Sequence, residues 1–209
     1  MPLRDTGRGP DVRVLDAESV AASLCATHPV SVENGLQPET AGGLPAVPGF
    51  YAWWVDRSSI VSLPHHPHPS APDLDLLYVG ISPKRASSSG TVRSRVIDQH
   101  VRGNISSSTL RFALAAFLMG ELKLNPRATR KKVTLDRDGN ARLREWQFAH
   151  LALTWCARDQ PWEVEDAVIA LMQPPLNCAA NESHPFHPHV TSARAALRTA
   201  ARTSSASRS

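Results

Sequence analysis

The sequence predicts an α/β (α+β) fold: a small antiparallel sheet of three strands flanked by helices. Three observations predict it. Two runs rich in aromatic and β-branched residues, Gly49-Phe-Tyr-Ala-Trp-Trp-Val55 and Leu76-Leu-Tyr-Val-Gly-Ile-Ser82, read as strands of an antiparallel hairpin with a long connection. A third run, Ala149 to Cys156, reads as another strand of the same sheet. Between them Leu110, Leu114, Phe117, Leu118 and Leu122 fall on one helical stripe.

The remaining elements follow in chain order. Asp16 to Cys25 reads as a short helix, and Pro29 to Pro48, dense in glycine and proline, as a linker. Pro64 to Pro72 is a His/Pro loop by composition. Thr91 is placed to cap a helix that runs to about Val101 and stops at Gly103-Asn104. Ser107 or Ser108 caps the striped helix, which Asn125-Pro126 ends. Lys131 to Leu135 reads as a short strand, Asp136 to Asn140 as a turn, and Ala141 to Phe148 as helix. Pro161 suits the first position of a helix that reaches Met172 and is ended by Pro174-Pro175. Residues 178–190 read as loop and Thr191 to Arg202 as a polar helix. The expected organisation is an extension and linker over 1–48, a domain over 49–190, and a basic helix and tail over 191–209.

Composition narrows the function classes. With 42% hydrophobic and 20% charged residues, the chain of 209 can bury a core and is not globally disordered. Cys25, Cys156 and Cys178 are too scattered for a disulfide framework or a zinc ribbon. Cys156 on a strand reads as a small buried hydrophobe. The first residues have no apolar leader segment, and the apolar stretch Phe112 to Met119 is too short to cross a bilayer. A cytoplasmic protein with no membrane contact is the expectation.

The net charge of +4 is unevenly distributed: −5 over residues 1–83, +10 over 84–144 and −1 over 145–209. A central basic block is what holding phosphates requires. Arg194, Arg198 and Arg202 add a stripe that either tracks a phosphate backbone or is a solvated face. Trp53 and Trp54 are candidates for stacking on bases, although neighbours on a strand face opposite ways and at least one should be core. His65, His66 and His68 fit a solvated loop better than a metal site.

Gly49-Phe50-Tyr51 on the first strand, Tyr78-Val79-Gly80 on the second, Arg95 on the basic helix, and Glu165 followed by Asn177 resemble the motifs of the GIY-YIG nuclease family, in order, over about residues 48 to 178. Both tyrosines of the chain lie in these motifs. The resemblance implies an endonuclease that hydrolyses DNA to 3′-hydroxyl and 5′-phosphate ends with Mg²⁺ (or Mn²⁺) held by Glu165. It implies Tyr51, Tyr78, Arg95 and Glu165 as catalytic residues. Tyr51 is favoured as the base and Tyr78 as the group that positions water or phosphate, although the sequence itself does not separate them. Arg95 is preferred to Arg93, and Glu165 to Glu163 and Asp166, by their place in the family's pattern. Asn177 would be structural or contact phosphate.

Two positions depart from that pattern. Where the family often carries His or Tyr four residues after the Arg, this chain has Gln99. His100 is one further, about 100° round an α-helix, and is assigned to phosphate binding or proton shuttling. Where a Lys often follows the second motif the chain has Ile81, so Lys84 or Arg85 is expected to substitute. Specificity would come from the insertions, the 1–48 segment, a second copy in a homodimer, or a protein partner. The rival readings are a weakly active nucleic-acid-binding module and a nuclease for RNA or branched DNA.

Overall fold

A computed structural model describes residues 12–37, 43–60, 63–130, 132–179 and 181–206. The sheet comprises β1 (Val30–Ser31), β2 (Gly49–Asp56), β3 (Pro67–His68), β4 (Ala71–Ser82) and β7 (Leu151–Ala157), in the spatial order β1-β7-β2-β4-β3. Every neighbouring pair is antiparallel. β5 (Arg127–Ala128) and β6 (Val133–Thr134) form a separate small hairpin.

The three expected strands are the three central ones, and the sheet has two more. The extra strands are two-residue edges drawn from segments expected as linker and loop. β1 pairs with Leu153 and Ala152, and β3 pairs with a β4 that starts five residues earlier than Leu76. Between Trp53 and Trp54 the β2–β4 register slips by one residue on β4, so Tyr78 faces Trp53 while Leu76 faces Trp54. That bulge allows the consecutive Leu77 and Tyr78 to join one core cluster.

Several helices depart from expectation. α1 (Val12–Ala26) extends beyond Asp16–Cys25 and buries Ala17, Val20 and Leu24. A short α2 (Val32–Gly35) lies within the expected linker, whose residues 38–42 fall outside the described ones. The Thr91 cap forms α3 (Val92–Ser94), with reciprocal bonds between Thr91 and Ser94. The chain then continues as a π-helical turn, Arg95–Val101.

Ile105–Ser107 is a 3₁₀ turn, and Ser108 caps α4 (Thr109–Phe117) by accepting Arg111 N–H. α4 ends well before Asn125, and left-handed Lys123 (φ 48°) redirects the chain. Asp136 is a cap rather than a turn residue. Its carboxylate accepts Gly139 N–H at 2.8 Å and starts α5 (Arg137–His150). Pro161 opens a 3₁₀ turn, with α6 proper at Glu165–Met172.

α7 (His187–Ala206) starts four residues before Thr191, so the expected boundary after 190 falls inside it. It buries Val190, Leu197 and Ala201 and packs along α4. The two sheet faces are covered separately. One buries Tyr51, Trp53, Val55, Leu77 and Tyr78 with α4, α5 and α7. The other buries Phe50, Ala52, Trp54, Leu76, Val79 and Ile81 with α1 and α6. Among the described residues no helix is long and apolar enough to cross a membrane.

Candidate active site

Both strand motifs have a packing reason for their glycines. Tyr51 lies directly across from Gly80. A Cβ on Gly80 would come within 2.4 Å of the Tyr51 hydroxyl and 2.5 Å of the ring carbon bearing it. Only glycine lets the Tyr51 ring lie across β4. A Cβ on Gly49 would meet the Cys156 carbonyl oxygen at 2.2 Å, so that glycine keeps β2 and β7 in pairing distance.

Tyr51 is fully buried, and its hydroxyl is 2.7 Å from His100 Nε2. The other ring nitrogen, Nδ1, is 2.7 Å from Ser108 Oγ. In the tautomer carrying the proton on Nδ1, Ser108 accepts that N–H and Nε2 accepts the Tyr51 hydroxyl proton. Burial holds the Tyr51 phenol well above its ordinary pKa, with Tyr78 and Glu165 adding to the shift and Arg95 opposing it. Burial likewise holds His100 well below the ordinary histidine range, helped by the charges of Arg95, Lys84 and Arg111, so the ring is neutral.

The π-helical turn explains how His100 reaches this position. A π-turn bonds i to i+5, and this wider turn carries His100 to Tyr51 and Ser108. The Arg102 N–H bonds to the Ile97 carbonyl at 2.9 Å, in that register. Gln99 instead accepts a hydrogen bond from the Arg95 guanidinium. Behind the turn a buried arginine holds the backbone. Arg111 donates to the Val101 carbonyl at 2.8 Å, to the Gln147 amide at 2.5 Å and to Asn140 Oδ1 at 3.2 Å. Gln147 in turn donates to the His100 carbonyl at 3.0 Å. Burial without a carboxylate partner lowers the Arg111 pKa to about 10.

Tyr78, Lys84, Glu165, Asn177, Glu182 and His187 line one cavity of about 300 Å³. The Tyr78 hydroxyl is 3.2 Å from Thr109 Oγ1, and burial raises its pKa. Glu165, first residue of α6, is half-buried; burial raises its pKa, and the nearby charges of Lys84 and Arg95 pull it back down. Lys84 and Arg85 follow a cis Ser82–Pro83 bond, and both line a second groove that continues to Arg95. The Asn177 amide is committed to β4: its Oδ1 accepts Val79 N–H at 3.0 Å and its Nδ2 donates to Val79 O at 2.8 Å. Of its two expected roles this geometry serves the structural one.

Tyr51, Tyr78, Arg95, His100, Lys84 and Glu165 are therefore brought together, and Arg85 lies one groove away. Glu163 and Asp166 are exposed and line none of these cavities. Arg93 binds the Leu44 carbonyl at 2.7 Å. Trp53 and Trp54 are both core, which removes them as base-stacking candidates. Ser108 and Thr109 were not singled out for chemistry, and Arg194 stood out only as part of the arginine stripe. Ser108 stood out only as a helix cap.

Two phenols, a neutral histidine, an arginine, a lysine and the carboxylates of Glu165 and Glu182 thus lie around one hairpin-and-helix frame. A model of the GIY-YIG catalytic domain matches residues 49–196, and the chain belongs to this family of nucleases, which generally act on nucleic acids. No curated protein and no solved structure matched the chain.

Proposed function

We propose that the protein is a metal-dependent endonuclease that hydrolyses phosphodiester bonds in DNA. The carrying observation is the convergence of Tyr78, Lys84 and Glu165 on one cavity, with Arg95 and the buried Tyr51–His100 pair beside it.

Glu165 offers an oxygen donor in a half-buried site with raised proton affinity, and a divalent cation would supply the charge that burial withholds. Among the described residues no three His, Cys, Asp or Glu side chains converge as a metal cage. A cavity lined by Glu165 and Glu182 suits Mg²⁺, or Mn²⁺, which takes one or two carboxylates and would keep water and phosphate oxygens as its other ligands. Held there by Glu165, such an ion would supply positive charge to the phosphate and the leaving oxygen.

The chain's own groups supply the rest. Arg95 and Lys84 draw in the scissile phosphate, the arginine through its planar fork. Tyr78 orients the attacking water from the cavity wall. Tyr51 takes a proton from that water as it passes its own to His100 Nε2, while Nδ1–H stays on Ser108. The resting charges oppose protonation of His100, so this transfer needs the phosphate's negative charge in place. On hydrolysis the water oxygen bonds to phosphorus, the P–O3′ bond breaks, the 3′ oxygen takes a proton from solvent, and His100 returns its extra proton to solvent.

A plasmid-nicking assay with Mg²⁺ tests the reading. The wild type should nick, and Glu165→Gln should lose at least about 10²-fold. Equal rates would overturn the role of Glu165. RNA cleavage with DNA left intact would overturn the substrate.

A further inference from the structure

We infer that α7 and the β5–β6 hairpin form a second, non-catalytic groove. It takes the phosphodiester backbone of the nucleic acid beside the scissile phosphate. The inference rests on the nucleic-acid reading above but not on the identity of the catalytic carboxylate.

A groove of about 500 Å³ opens from Arg95 and Thr109 and runs between the hairpin and α7. Its cations are Arg95, Arg130, Lys132, Arg194, Arg198 and Arg202, and no carboxylate lines it. Among the described residues none of these six makes an ion pair. Six like charges around one groove repel one another, and a bound polyanion relieves that cost. The floor includes Ser106, Ser107 and the capped start of α4, which adds hydroxyl donors.

The arginines are held rather than loose. Val190, Leu197 and Ala201 bury one face of α7, which fixes the orientation of the adjacent 194/198/202 stripe. Arg194 and Arg198 lie over the Phe112 ring, with the guanidinium carbons 5.3 and 5.0 Å from its centroid. The stripe spans about 12 Å of helix, the axial length of roughly three phosphates on one duplex strand.

The groove joins the cleavage site directly. Thr109 and Arg194 line both it and the Glu165 cavity, and the Arg194 charge reaches Tyr78. Arg198 and Arg202 lie beyond the segment matched to the GIY-YIG catalytic domain, so the groove is built partly from this chain's own extension.

The test measures binding of a fluorescent duplex DNA across a salt series, using full-length protein with Glu165→Gln to block cleavage. Adding Arg198→Gln and Arg202→Gln, which remove the charges and keep part of each side-chain stem, should reduce the log–log salt slope by about 2 and weaken binding at least about tenfold. Lys123→Gln, in a separate cavity, should change neither. Slope and affinity equal to the parent's in a double variant with an unchanged melting curve would overturn the groove. A parent with no salt-dependent binding would overturn both the groove and the nuclease reading. A reduced slope together with Glu165-independent nicking would support the groove and overturn only the assignment of Glu165.

Discussion

The two faces of the sheet are equally buried and built for different ends. Phe50 and Tyr51 are neighbours on β2, and both have 0% exposure. Phe50 enters a cluster with Trp54, Val79, Ile81 and Val168, where the Trp54 indole donates to Thr154 Oγ1 at 2.9 Å. Tyr51 enters a cluster crossed by a polar chain, from Tyr51 to His100 to Ser108 and, through the turn's carbonyls, to Arg111 and Gln147. The dry face stabilises the fold through area removed from water. The polar face costs desolvation at each buried group and recovers part of it through these hydrogen bonds, while the Trp53 and Trp146 indole N–H groups and the Nε–H of Arg95 and Arg111 are buried without a partner among the described residues. α6 links the two: Val168 and Met172 pack on the dry side, and Glu165 at its start lines the cavity on the other.

The largest expected separation comes from one substitution on each face. Tyr51→Phe removes a hydroxyl that packing does not need. Nicking should fall about 10²–10⁴-fold, while stability changes by only about 1 kcal/mol. Trp54→Ala should cost about 3–5 kcal/mol in urea denaturation, with the rate per folded molecule preserved; Trp54→Phe serves if the alanine variant does not fold. If Tyr51→Phe retains full activity, the polar chain is architecture and the contrast between faces collapses.

A smaller effect sharpens the comparison at the motif glycines. Gly80→Ala places a methyl against the Tyr51 ring, and the hydroxyl must leave His100. A shift of about 1 Å should cost about 10²-fold in rate with about 1–3 kcal/mol of stability. Gly49→Ala meets backbone instead, at Cys156 O. It should lose fold and activity together, as read by melting curves and nicking on the same samples.

What the sequence revealed follows the same division. Strand runs were readable because aromatic and β-branched residues mark them, and the order Tyr51, Tyr78, Arg95, Glu165 through its resemblance to the GIY-YIG motifs. The π-turn was not, because α and π registers differ by one hydrogen-bond step that no side-chain pattern records, so the α-helical reading set His100 about 100° round from Gln99 without showing that it meets Tyr51. Trp53 and Trp54 escaped for another reason: a sheet covered on both faces buries both, and strand alternation alone does not say how many faces are covered. The Arg194/Arg198/Arg202 stripe was visible, but its wall opposite Arg130 and Lys132 required the tertiary packing of α7.

The smallest effect tests the faces through protons. His100 on the polar face and His68, packed edge-on to Trp54 on the dry face, are both fully buried. Burial lowers both pKa values, and His100 falls further: burial is the largest cause there too, and the charges of Arg95, Lys84 and Arg111 add to it. The unfolded chain binds protons at these histidines near pH 6.5, and the folded chain does so only at lower pH. Between those limits the unfolded state holds more protons, so stability falls as pH drops below about 6.5, by up to about 1.4 kcal/mol per pH unit for each group. Folding stability measured in urea from pH 7 to pH 5 should therefore decline. His100→Gln should flatten that decline more than His68→Gln, and His184, also shifted down, should leave a residual slope in both. Equal flattening by the two substitutions would mean that the folded chain holds His100 no further below its ordinary pKa than His68.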